Sequence, residues 1–217
     1  MAIIFAGCMS SSLPVQIYHP ATTPVLPSPV LTPVPTSDPY PNALHLDEYS
    51  CFGGEMDQAA ATIYRYEIRP FYNWTSPSWN SPREQAAASQ PLDLQNGYNM
   101  EKPGEGNTFL FIFIRVANDG ERPAYAPSAK QFVVYSKGKM YNYTPVHSSD
   151  VIIDKVSGTQ YDYQTGQQDG NVGYIQPSES NQAEGNLIYE IPAPFSPGRT
   201  YVLSNLDYQN KAQWVLG

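Results

Sequence analysis

The sequence predicts an all-β fold: an immunoglobulin-like antiparallel β-sandwich preceded by a disordered proline-rich linker. Three observations predict it. Short apolar runs, many of them alternating, recur between Gly, Pro and Asn, with hardly any helical period. One run, "NTFLFIFIRVAN" from Asn107 to Asn118, is apolar on both faces, which marks a strand central to its sheet. Residues 10–42 hold so many prolines that neither a helix nor a strand pattern survives.

Taken in order, residues 1–9 read as a truncated signal ending in a lipobox. Phe5-Ala6-Gly7-Cys8 places two small residues before a cysteine, the arrangement in which a thiol accepts lipid. The apolar run is shorter than the ~7–15 residues of a signal core, so the expected start codon lies upstream of Met1. The rival readings are a chance "AGC" near a start and a Cys8–Cys51 disulfide, which excludes lipidation. Residues 10–42 form a Pro/Ser/Thr-rich tether. At ~3.1 Å per residue in polyproline II, it lifts a domain off a membrane surface.

The folded domain is expected over residues 43–217. "ATIYRYEIRPF" (61–71) alternates as a half-buried strand, and Asn107–Asn118 follows as the central one. Asp119-Gly120 signals a turn. "KQFVVYSKGKMYNYTPV" reads as a hairpin about Lys137-Gly138-Lys139. Strands at Ala183–Pro192 and in "RTYVLSNLDYQNKAQWVLG" close the domain. Cys51, in "YSCFGGE", is expected as a packed small residue.

"GNTFLFIFIRVANDGERPAYAPSAKQFVVYSKGKMYNYTP", "YIQPSESNQAEGNLIYEIP" and "YVLSNLDYQNKAQWVL" stand in an order that resembles a known family. It is the telokin-like, immunoglobulin-fold domain of unknown function found in bacterial and archaeal surface lipoproteins. The family's strand ending in Asn is matched at Asn118. Its Pro-Gly-Glu-Ser turn is matched at Pro177-Ser178-Glu179-Ser180, with Ser178 in place of Gly. Its Gly-x-apolar-x-Tyr-Glu-Ile-Pro strand is matched over Gly185–Pro192. The resemblance spans roughly residues 60–217 and implies a fold, with no catalytic residues to carry over. Lipobox, linker and domain together resemble the surface lipoproteins of methanogenic archaea.

Composition narrows function. The 217 residues carry a net charge of −8 with only 12 Lys and Arg, so nucleic acid is not an expected partner. No apolar stretch approaches the ~18 residues of a membrane span. No cofactor motif is present: there is no phosphate-binding glycine loop, and His19, His45 and His147 lack metal-ligand spacing. "VHSSD" (146–150) reads as a hydrogen-bonded turn rather than a catalytic group. "NDGE" (118–121) and "QQDGN" (167–171) lack the ligand alternation of a calcium loop.

The expectation is therefore a non-catalytic, lipid-anchored cell-surface domain for protein interaction or envelope structure, held to the membrane through lipid on Cys8. Its partner is an unidentified surface protein or glycan, and self-association through a strand edge is a further expectation. The alternative is a carbohydrate-binding or glycan-processing module. It would use the aromatic loop 71–79, with Tyr72, Trp74 and Trp79 as ligand platforms and Glu84 or Asp93 as carboxylates. Packing of these rings under the long loop that follows is the competing reading. Asn73 and Asn142 head N-glycosylation sequons.

Overall fold

The structure, a computed structural model, describes residues 37–76, 99–146, 148–166, 173–177 and 181–217. The lipobox with Cys8, the tether up to residue 36, Trp79, Glu84, Asp93, His147, "QQDGN" and Ser178–Ser180 lie outside the described residues.

The folded unit runs from Asp38 to Gly217 and is an antiparallel β-sandwich. Its first sheet comprises β1 (Tyr49–Phe52), β2 (Ala59–Arg69), β5 (Asn107–Asn118) and β11 (Gln182–Pro192), in that order across the sheet. Its second comprises β13 (Lys211–Val215), β12 (Thr200–Asn205), β7 (Phe132–Ser136) and β8 (Lys139–Tyr141). Two small sheets complete the described part. One pairs β6 (Ala124–Ala126) with β10 (Gly173–Ile175); the other joins β4 (Asn99–Glu101), β3 (Tyr72–Thr75) and β9 (Ile152–Ile153). A single helical turn, α1, covers Tyr161–Gln164.

β5 explains the layering. Leu110, Ile112, Ile114 and Val116 point inward, where they meet Phe132 and Val134 of β7, Val202 of β12 and Trp214 of β13. Phe109, Phe111 and Phe113 point outward on the alternate positions and are equally buried. They can be, because Tyr72 and Trp74 of β3, Ile153 of β9, and Val151 and Val156 cover them as a second core. Burying one such ring stabilises by roughly 1.5–3 kcal/mol, so the outer layer contributes to folding in its own right.

β2 carries an irregularity that alternation does not reveal. Its register against β5 shifts between Ile63 and Arg65, leaving Tyr64 as the extra residue of a bulge. The shift puts Arg65 opposite Phe113, with the guanidinium 3.8 Å from the ring centroid. Arg69 donates to the carbonyls of Asp154 (2.7 Å) and Lys155 (3.1 Å) and pairs with Glu67 at 2.6 Å. One cation thereby fastens the first sheet to the chain leaving β9.

The expected hairpin is β7–β8. Lys137 and Gly138 both have positive φ (48° and 80°), a type I′ turn, and Lys137 Nζ donates to the Ala193 carbonyl at 2.8 Å. The "GNLIYEIP" strand is β11, and its letters have separate physical reasons. At Gly185 a Cβ would lie 2.4 Å from Tyr161 Cα, so only glycine lets α1 press onto the sheet. Tyr189, fully buried, donates across the sandwich to the Phe132 carbonyl at 3.0 Å. Glu190 accepts from the Gly104 amide (2.8 Å) and Asn107 Nδ2 (2.6 Å).

The folded unit also takes in residues 38–42. Asp38 accepts from the Tyr201 hydroxyl at 2.7 Å, and the Tyr40 ring meets Tyr135 and Tyr201 edge-on. Pro39 and Pro41 made this stretch read as tether. Cys51 is also corrected: it is exposed on edge strand β1 rather than packed.

Candidate functional site

Strand directions sort the loops into two ends. Along β12, Tyr201 sits beside Asp38, where the folded unit begins, and Asn205 sits four residues on, about 13 Å away at ~3.3 Å per residue. β13 runs back with Lys211 opposite Asn205 and Val215 opposite Tyr201. The β1–β2 loop (53–58), the β5–β6 turn (119–123), β10 and the β12–β13 turn (206–210) therefore gather at the end far from Asp38.

The β1–β2 loop, β6 and the β12–β13 turn line an open cleft of about 750 Å³, walled by Gly53, Asp57, Tyr125, Asp207, Tyr208 and Lys211 among others. A neighbouring hollow of about 560 Å³ shares Asp57 and adds Arg122, Tyr174 and Gln176. Tyr125 and Tyr174 stand directly opposite each other across the β6–β10 ribbon. Their strand neighbours Ala124, Ala126 and Ile175 point into the core, which forces both tyrosines outward. Tyr208 caps the β12–β13 turn with its whole side chain in solvent.

The walls are braced. Asp207 Oδ1 accepts from the amides of Gln209 (2.7 Å) and Asn210 (2.6 Å); Oδ2 accepts from Asn210 Nδ2 (2.8 Å) and the Gly53 amide (2.9 Å). Desolvation pushes its pKa up, but these four donors outweigh it and hold the carboxyl at about 2. The same bonds join two loops distant in sequence. Gln131 accepts from the Tyr125 hydroxyl and the Ser128 amide and donates to the Asn205 carbonyl, setting the opposite wall. Asn118, at the end of β5, donates to the Arg122 (2.8 Å) and Ile175 (2.7 Å) carbonyls and accepts from the Gly120 amide (2.8 Å). Its carboxamide is committed to shaping this end. At Gly120 a Cβ would lie 2.6 Å from the Met56 carbonyl oxygen, so the turn nests against the β1–β2 loop only as glycine.

The aromatic-loop residues lie elsewhere. Tyr72 and Trp74 are 7% and 5% exposed. Tyr72 packs edge-on to Phe109 and Phe111, and burial pushes its hydroxyl up to about 12. Trp74 Nε1 donates to Glu101 at 3.1 Å. The outward phenylalanines of β5 need a lid, and these buried rings provide it, packed on their neighbours rather than open as platforms. Asn73 is partly buried on β3 and its sequon partner Thr75 is 2% exposed, whereas Asn142 and Thr144 are both exposed just beyond β8. Ser148 and Asp150 bond to each other and to buried Ser76, whose hydroxyl donates to Asp150 at 2.6 Å. Among the described residues no three His, Cys, Asp or Glu side chains group to hold a metal, and no helix is long and apolar enough to cross a membrane.

Sequence reasoning passed over the cleft because four separated segments build it. Only "DYQN" (207–210) carried a signal: an Asx turn with an aromatic residue at its tip between two apolar runs.

No protein-family model and no curated protein matches the sequence. Among solved structures, the chain is similar to the yjhA protein from Bacillus subtilis at 10% identity and TM-score 0.42, covering 80% of this chain and 99% of that one. It is similar to a conserved hypothetical protein from Bacillus anthracis at 16% identity and TM-score 0.41, covering 76% and 91%. An uncharacterized β-sandwich protein from Clostridium difficile 630 is similar at 11% identity and TM-score 0.38, covering 81% and 95%.

Proposed function

We propose that this chain is a non-catalytic binding domain of the telokin-like, immunoglobulin type, held on the outer face of the cell by lipid on Cys8. The proline-rich tract carries it clear of the membrane. The tyrosine-walled cleft is the surface it offers to a partner. The observation that supports this reading is the cleft itself, lined by tyrosines and braced by the hydrogen bonds to Asp207 at the end of the folded unit away from Asp38. A volume of about 750 Å³ falls within the ~300–1,000 Å³ usual for ligand pockets. The lipobox pattern and the tract behind it support the anchor.

Intact mass of the native protein extracted from membranes tests the anchor. The reading expects a mature chain beginning at Cys8 with added lipid mass. A chain that retains residues before Cys8 and carries no lipid overturns it.

A further inference from the structure

We infer that the cleft takes a neutral, extended glycan chain, an assignment that rests on the binding-domain reading above. Asp57 lines both hollows, so a chain of repeated units that passes this side chain touches the two of them. Three phenol rings punctuate them. Tyr174 and Tyr208 are 59% and 107% exposed, so they stand out from the surface and leave their faces free. Flat apolar faces ringed by hydrogen-bonding groups complement a pyranose, which has apolar C–H faces and a polar equator. The surrounding groups are of that kind: the Gln131 and Gln176 carboxamides, the Asp57 carboxylate and the Lys211 ammonium.

Charge selects neutral over anionic ligands. The chain carries −8, which repels polyanions. Lys211 and Arg122 are balanced within the two hollows by Asp57 and Asp207. Rigidity argues for a site built in advance: the four bonds to Asp207 and the three at Gln131 fix the walls before a ligand arrives, so little ordering is left for binding.

The full chain carrying Cys8→Ser would be titrated with cellohexaose, laminarihexaose, mannohexaose and chitohexaose, followed by amide NMR. A heparin hexasaccharide and a proline-rich peptide are the comparators. At least one neutral hexasaccharide should shift resonances of 53–58 and 206–211. Tyr208→Ala and Tyr174→Ala should each weaken that binding roughly tenfold, the effect of losing one stacked ring with its buried area. Met140→Ala, exposed on β8, should leave it unchanged. If none of the four neutral sugars shifts any resonance, the glycan assignment falls. A peptide or heparin that moves the cleft resonances in their place would keep the binding-domain reading and replace its ligand class. A sugar that binds elsewhere, indifferent to both tyrosines, would overturn the glycan assignment and the cleft together.

Discussion

Replacing Gly185 by alanine tests how α1 docks on the sheet. The added Cβ would lie 2.4 Å from Tyr161 Cα and 2.6 Å from its amide nitrogen, against ordinary contacts of 3.4–4 Å. Backbone atoms cannot rotate away as a side chain does, so α1 must retreat. Forcing a methyl into a packed interior costs about 1–3 kcal/mol. The retreat also loosens Tyr161, which is wholly buried against Phe132, and burial of such a ring contributes about 1.5–3 kcal/mol. Alanine returns about 0.4–1 kcal/mol by restricting the unfolded chain. The net expectation is a loss of about 2–4 kcal/mol, a fall in Tm of roughly 5–12 °C for a domain of this size. Urea unfolding of the full chain, with a thermal melt beside it, reads both. A variant within about 0.5 kcal/mol of wild type would refute the claim that close approach at α1 requires glycine here.

Three further outcomes are expected. Asp207→Asn should cost on the order of 1 kcal/mol at pH 7, after discounting for solvent screening at this partly exposed group. Because the folded-state pKa is depressed, the carboxylate's contribution is present above about pH 4 and is lost as pH falls through about 2. Melts of wild type and variant should therefore converge at low pH, and a constant difference down to pH 2 would contradict the assignment. Trp74→Ala should destabilise by about 3–5 kcal/mol in urea unfolding, because the ring lids the outer phenylalanines; a loss below about 1 kcal/mol would mean that it does not. In a host that attaches N-glycans, mass spectrometry should find Asn142 occupied and Asn73 bare, since Thr75 is buried within a paired strand; the reverse pattern would show that β3 opens.

Much of the sandwich was legible because its signals are local. The two apolar faces of Asn107–Asn118 announce a central strand, and β5 does lie between β2 and β11. The run on either side of Lys137-Gly138 announces a hairpin, and the positive φ of both residues closes it. What covers the outer face of β5 was not legible. β3, β4 and β9 have four, three and two residues, too few for a period, and they come from three places in the chain. Among Ser, Pro and Asn, Tyr72 and Trp74 read either as packed rings or as ligand platforms, and only their neighbours in space, the phenylalanines of β5, show them packed. The bulge at Tyr64 was hidden for a related reason: Ile63 and Tyr66 both face inward, which alternation forbids unless one residue is extra. The cleft is the extreme case. Asp57, Tyr125, Tyr174 and Tyr208 are unremarkable where they stand in the sequence, and only strand pairing collects them.

The most direct test of the proposal that the tyrosine-walled cleft is the working surface is binding of the full Cys8→Ser chain to envelope material from its own cells. Wild type and Tyr208→Ala would be compared. Because Tyr208 lies wholly in solvent, the substitution should leave Tm within about 1 °C. The account predicts that binding of the variant falls roughly tenfold. Equal binding of the two proteins, with the fold intact in both, would contradict it.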